Sequence, residues 1–474
     1  MQSNPLHQRL EVSKTENCQF NYPFNYLEKH QAERITMSRD PMGIALAALN
    51  SIASSPVIDK LGLRETIEKT IYQGTKTGFK ALGATSRQFK NVTNLVTPAR
   101  PSAPVSTTSK NLFDLNLSEE QQLMQDSIQR FAKDLIRPAA LDADKNAKVP
   151  QDISTQAAEL GLSYFAVPEE LGGAGTERSP VTSMIVAEEL AYGDMGIAVA
   201  TLAPIGVANA LTHWGTASQQ SKYLPSFLDE SPLLASIAVA ESEPLFDANQ
   251  LKTTAKSVGN GFILHGEKSL VPLAESSELF LIAANLENKG PRIFIVESST
   301  EGVTVSADPS MGLKAAQLGK INLNNVKIES DSLLGEADFD YQAFINFSRL
   351  AWCSLALGTA KAVLDYTITY CNEREAFGEP ISHRQSVAFM VANIGIELDS
   401  MKVLTQRAVA RAEKGLDFTQ EAYLAHVLCG DKAMEIGTNG VQLLGGHGFT
   451  KEHPVERWYR DMRSIAICEG GLHL

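Results

Sequence analysis

The chain changes texture twice, and that order constrains its fold more than any single motif does. From about Leu112 to Leu234 the pattern is helical. Leu117-Ser118-Glu119-Glu120 is a helix start in which Ser118 can cap the first amides, and Leu123, Ile128, Phe131 and Leu135 then recur at helical spacing. From about Ser236 to Leu334 short β-prone runs stand between turn residues: Ile237-Ala238-Val239-Ala240, Phe262-Ile263-Leu264, Leu279-Phe280-Leu281-Ile282 and Arg292-Ile293-Phe294-Ile295-Val296. From Tyr341 onward long helical patterns return, broken near Gly378-Glu379-Pro380 and again at Gly445-Gly446. Helices, then strands, then helices predict segregated layers and not alternating βαβ units. The expected fold is α+β and mainly helical: an N-terminal helical domain over 112–235, a central antiparallel β domain over 236–338 and a C-terminal helical bundle over 339–474.

The region ahead of these differs. Residues 1–42 are polar and are expected to be disordered. Residues 43–96 read as a helical appendage, and 97–111 as a proline-rich linker with nothing to bury. Residues 51–100 carry a net charge of +5 in a chain whose net charge is −13. A basic amphipathic stretch suits an anionic membrane surface, so residues 43–96 are a candidate for peripheral membrane contact; a helical hairpin docked on the acidic body explains them equally well. The acidic balance argues against general nucleic-acid binding, which needs basic surface to displace counterions. No apolar run is read as reaching the roughly 20 residues that span a bilayer. Glu11, Lys14 and Glu16 interrupt any signal-peptide pattern. Five scattered cysteines, with no Cys-x-x-Cys spacing, suit a reducing compartment and suggest neither disulfides nor a metal site. The expectation is a cytoplasmic protein.

One carboxylate stands out. Glu469 ends a mixed apolar run and precedes Gly470-Gly471. A carboxylate in that setting is only partly solvated and can serve as a base that takes a proton from carbon. The competing reading is a solvated glutamate near a chain end. The glycine-rich loop Pro168 to Gly175 is not a dinucleotide fingerprint, because the third glycine and the strand-turn-helix frame are missing.

Several segments, in order, resemble the acyl-CoA dehydrogenase family over nearly all of 112–474. They are Leu160-Gly161-Leu162 with Pro168 to Gly173, Glu188-Glu189-Leu190-Ala191, Lys222-Tyr223-Leu224-Pro225, Gly266-Glu267-Lys268, Asn372-Glu373-Arg374-Glu375-Ala376-Phe377-Gly378, and Gln442 to Phe449 with Arg460-Asp461. Any one is weak; six in order are specific. The resemblance implies a three-part fold with FAD between the β domain and the C-terminal helices. It implies dehydrogenation of a fatty acyl-CoA across its α and β carbons, an electron-transfer flavoprotein as acceptor, and a homodimer or homotetramer.

Residue by residue, the resemblance makes Glu469 the catalytic base. Some relatives place the base at the position of Ser348, where serine cannot serve. Arg374 matches the arginine that meets the flavin pyrophosphate across a subunit interface, against a plain salt bridge to Glu373 or Glu375. Phe377 is matched to cofactor packing, against core packing. Gln442 and Gly446 match positions near the adenosine half, where glycine is also an ordinary helix end. Arg349 matches a substrate-side arginine, against a plain ion pair, Arg384 stands where a flavin-facing histidine is common, and the amides of Val239 and Ala240 are candidates to touch the flavin ring.

The departures sit around that ring. The family's Thr-Glu-Pro-x-x-Gly-Ser-Asp loop reads Ala240-Glu241-Ser242-Glu243-Pro244-Leu245-Phe246-Asp247, and its Trp-Ile-Thr reads Leu270-Val271-Pro272. After Glu469 the family continues Gly-Thr into a final helix, whereas this chain reads Gly470-Gly471-Leu472-His473-Leu474. These changes keep open a second reading, a catalytically impaired acyl-CoA-binding or assembly protein of the same fold.

Overall fold

The computed structural model describes residues 116–474, apart from 176–178, 230 and 336–338. The expectations for residues 1–42 and 43–96 and for the linker fall outside the described residues. So does the membrane contact assigned to 43–96.

The first helical layer begins at α1 (Glu119–Phe131). Ser118 accepts from the Gln121 amide while the Gln121 side chain accepts from the Ser118 amide, a reciprocal cap worth about 1 kcal/mol. A π-helical turn leads into α2 (Arg137–Asn146), followed by α3 (Gln151–Glu159) and α4 (Leu162–Ala166). Then come α5 (Pro180–Gly193), α6 (Met195–Trp214) and α7 (Ala217–Tyr223). Helix α6 corrects one expectation: at 20 residues and a mean hydropathy of 1.6 it is long and apolar enough to cross a membrane. It is instead a core helix, buried over most of its surface from Met195 to Leu211, as an all-round apolar helix in a large fold must be.

Seven strands make one sheet: β1 (Ala235–Ala238), β2 (Thr254–Val258), β3 (Gly261–Val271), β4 (Leu279–Leu286), β5 (Gly290–Glu297), β6 (Val303–Ala307) and β7 (Gly319–Glu329). Most pairings are antiparallel, as expected from the turn-punctuated runs. Strand β4 is the exception. It pairs antiparallel with β5 along its length, while its other edge is shared by β1 and β2, both parallel to it. Parallel partners fit its burial on both faces, since all of β4 except Asn285 is buried.

The C-terminal layer is α8 (Tyr341–Glu373), a short hairpin of β8 (Glu375–Ala376) and β9 (Glu379–Pro380), α9 (Gln385–Glu413), α10 (Thr419–Leu444) and α11 (Val455–Met462). The breaks fall at the Gly378 turn and at Gly445, both with positive φ. Helix α8 runs through the core of the described residues. From Phe344 to Val363 nearly every residue is buried, and Gly358 lets α5 approach so closely that a Cβ there would lie 1.9 Å from the Glu188 carbonyl oxygen.

Candidate active site

Helix α8 aims Arg349 and Trp352, one turn apart, at the segment after α11. Arg349 donates from Nε and from one NH2 group to the same oxygen of Glu469, at 3.2 and 3.0 Å. Trp352 Nε1 donates to the Gly470 carbonyl at 2.8 Å, which fixes the backbone just past the carboxylate. The Glu469 side chain is 13% exposed, and its second oxygen is buried with no partner. Gly470 and Gly471 both have left-handed backbone, with φ of +74° and +79°. A Cβ on Gly470 would lie 2.4 Å from Val239, and one on Gly471 would lie 3.2 Å from Pro272. Glycines at these positions therefore let the Glu469 loop close onto the loops after β1 and β3.

Those two loops are locked to each other. Lys268, wholly buried in β3, donates to the Val239 carbonyl at 3.0 Å and to Glu241 at 2.7 Å, and the Ser269 amide donates to the Ala240 carbonyl at 3.0 Å. Glu241 also accepts from the Lys252 and Thr253 amides. Burial pushes the Lys268 ammonium down to about 8, against the raising effect of Glu241. Burial pushes the Glu241 carboxyl up, but Lys268 and the two amides outweigh it and hold it below its ordinary range. Between Lys268 and Val271 the β3–β7 ladder breaks in a bulge, where Leu270 has φ +54° and its amide donates to Asp308.

Beside Arg349 opens a cavity of about 630 Å³, also lined by Asp247 and Asn249 from the β-domain loop, Gln342 from α8, and Asp417, Thr419, Gln420 and Tyr423 at the start of α10. Tyr341 holds its rim, donating to the Ala248 carbonyl at 2.7 Å; burial and the Glu469 charge keep that phenol protonated. Cys468 is likewise kept as a thiol, pushed up to about 12 by burial and by Glu469.

The expected cofactor residues fall into two further groups. Arg374 caps the end of α8 and is exposed, and among the described residues no carboxylate forms an ion pair with it, so the alternative of a salt bridge to Glu373 or Glu375 is not realised. Phe377, at the hairpin tip with φ +58°, is 95% exposed, which removes the core-packing alternative. Arg384 pairs with Glu379 at 3.0 Å and lies over the Phe377 ring at 5.7 Å. Gln442 is exposed near the end of α10. Beside it, open space surrounds the positions where a Cβ would sit on Gly445 and Gly446. The two groups are tied together by a stack of side chains: Tyr370 bonds His447 at 2.7 Å, Tyr366 bonds His453 at 2.6 Å, and the two imidazoles stack at 5.5 Å.

Residues 118–231 match the acyl-CoA dehydrogenase N-terminal domain, 236–326 its middle domain and 340–472 its C-terminal domain. The chain belongs to the acyl-CoA dehydrogenase family. The short/branched chain specific acyl-CoA dehydrogenase of Rattus norvegicus mitochondria is 31% identical over 397 residues, covering 81% of this chain and 91% of the relative. The glutaryl-CoA dehydrogenase of Desulfococcus multivorans is 29% identical, over 76% of this chain and 96% of its own length. Butyryl-CoA dehydrogenase from Megasphaera elsdenii has the same fold, with a TM-score of 0.69 and 26% identity over 76% of this chain and 96% of that one.

This acyl-CoA dehydrogenase homologue is therefore an FAD-dependent oxidoreductase. Its residues fit the group. An exposed phenyl ring lies at the hairpin, with a guanidinium that pairs with no carboxylate among the described residues, and open glycine backbone lies at the end of α10. Val239 and Ala240 are buried, with Gly470 against the Val239 side chain. Sequence reasoning did not find the Lys268–Glu241 pair. Its signal was a lysine set inside an otherwise β-prone run, 27 residues from the glutamate that pairs with it. Nor did it find the Trp352 bond.

Proposed function

We propose that this protein removes two hydrogens across the α and β carbons of a fatty acyl-CoA thioester, with Glu469 as the base that takes the α proton. The support is a single arrangement: Arg349 both lines the cavity and holds Glu469, and Trp352 fixes the backbone that follows. FAD, when bound, accepts the β hydrogen as hydride. The chain's own part is to place a carboxylate, to neutralise it until substrate enters, and to exclude water. The Asn, Gln and Thr side chains of the cavity are suited to the amide groups of a pantetheine arm, because they are neutral donors and acceptors.

In this reading Arg374 and Phe377 serve the flavin of a neighbouring subunit. Their exposure in the single chain is what supports this, and a homodimer or homotetramer follows. Gln442 and Gly446 serve the adenosine half, and Arg384 steadies Phe377. An electron-transfer flavoprotein is the proposed acceptor. The test is anaerobic bleaching of the bound flavin by a panel of acyl-CoA thioesters. Bleaching by a straight-chain member supports the reading. Bound flavin that no thioester bleaches would make this a binding or assembly protein instead.

A further inference from the structure

Past Glu469 the chain runs into a cleft between α6 and α8. Trp352 of α8 donates to the Gly470 carbonyl at 2.8 Å, and Asn209 of α6 donates to the His473 carbonyl at 3.2 Å, so the segment is bonded to both helices. Gly206 of α6 lets it approach: a Cβ there would lie 2.8 Å from the His473 amide nitrogen. The His473 ring packs on Phe344 and Phe347 of α8, with ring centroids 4.7 and 5.3 Å apart. Leu472 and Leu474 are buried with it. Three residues of chain span at most about 11 Å, so Leu472 stands close behind the carboxylate.

Glu469 thus has two kinds of surroundings. The cavity lined by Arg349 is polar, with Asp247, Asn249, Gln342 and Asp417 in its wall. An alkyl chain gains little there, because it would cover carboxylates and amides that water solvates better. The cleft between α6 and α8 is aromatic, and burying hydrocarbon in it is favourable, but its room is taken by the chain's own Leu472, His473 and Leu474. Phe347 is the partition. Its ring meets His473 and also meets Phe418, the residue before Thr419 of the cavity wall, at 4.8 Å.

We propose that residues 472–474 are the stop that sets acyl length. A short straight acyl chain fits with its α carbon at Glu469, and a long one runs into Leu472, His473 and Leu474. The proposal rests on the reading of Glu469 as base and narrows its substrate to short-chain acyl thioesters. The stop is fixed in place, because bonds to Trp352 and Asn209 hold it at both ends.

The experiment uses the flavin-loaded protein and straight-chain acyl-CoA thioesters from butyryl to dodecanoyl. Stopped-flow flavin reduction gives the rate, and calorimetric titration with non-oxidisable thioether analogues of the same lengths gives the affinity. In an open apolar cleft each added methylene would tighten binding about fourfold. Wild type is expected to do the reverse, with dodecanoyl-CoA at least about tenfold worse than butyryl-CoA in both readouts. Leu472→Ala and Leu474→Ala open space in the cleft and are expected to narrow that gap by improving the dodecanoyl values. A wild type that handles dodecanoyl-CoA as well as butyryl-CoA would overturn the proposal, and this needs no variant to fold. Folded alanine variants with the wild-type length profile would overturn it too. So would long chains reduced after a slow phase independent of their concentration, since the segment would then be a strap that swings aside. Analogues that bind with the expected length profile while no thioester reduces the flavin would sink the base reading and not the stop.

Discussion

Arg349 spends two of its donors on one oxygen of Glu469 and leaves the other oxygen buried and unbonded. A carboxylate held on one side and bare on the other is restrained without being used up. The bare oxygen is the one free to take a proton. Glu469→Gln preserves the shape and can still accept from Arg349, so flavin content and analogue binding are expected to stay near wild type. Loss of a positioned base costs about 10²- to 10⁴-fold in rate. Anaerobic bleaching measures it, and a rate within a factor of about three of wild type would exclude Glu469 as the base.

Removing the other partner acts through geometry. In Arg349→Met both hydrogen bonds that hold Glu469 are lost, so the carboxylate is no longer kept in one place. Flavin reduction by a thioester is expected to slow about tenfold or more, with flavin content near wild type. An unchanged rate in stopped-flow flavin reduction would show that the hold on Glu469 does not matter to the reaction.

The overall order of layers was legible because each layer buries its apolar surface with its own period, and the breaks at Gly378 and Gly445 are glycines in left-handed backbone that other residues avoid. Glu469 was legible as a candidate from its setting before Gly470-Gly471 and from its place in an ordered set of motifs. What holds Glu469 was not legible. An ion pair was one reading of Arg349, but its partner lies 120 residues away, and no local period reports a contact made by packing α8 against that segment. The parallel pairing of β4 escaped for the same reason, since a run buried on both faces looks alike in either type of sheet. Helix α6 was misjudged because its apolar run includes Thr201, Pro204 and Thr212, which shorten it to the eye and not in the fold.

The Lys268–Glu241 pair makes a stability prediction with a definite sign. Below about pH 8 the folded chain carries a buried ammonium at a cost. Between about 8 and the ordinary 10.5 the unfolded chain holds a proton that the folded chain has released, so this group adds stability as pH rises through that window. Glu241 works on the acid side. Its stabilisation is present above its ordinary value and is lost as pH falls through its depressed one. Lys268→Met leaves Glu241 buried without its countercharge and is expected to destabilise by about 3–5 kcal/mol. Adding Glu241→Gln to it should recover much of that loss. Denaturant melts of the two variants decide this, and additive losses would contradict the pairing.

The exposed hairpin separates cofactor affinity from folding. Arg374 has no ion pair to lose among the described residues, and Phe377 has almost no burial to lose, at 95% exposed. Arg374→Ala should therefore leave the melting of the flavin-free protein within about 0.5 kcal/mol of wild type. If its guanidinium meets the flavin diphosphate, the lost charge-assisted bonds are worth about 1.5–3 kcal/mol, or roughly ten- to hundredfold in flavin affinity. Because the proposed contact crosses subunits, flavin should also stabilise the wild-type oligomer against dilution, and this linkage should fade in Arg374→Ala. Sedimentation with and without flavin measures that. An oligomer indifferent to flavin in both proteins would place Arg374 outside the cofactor site.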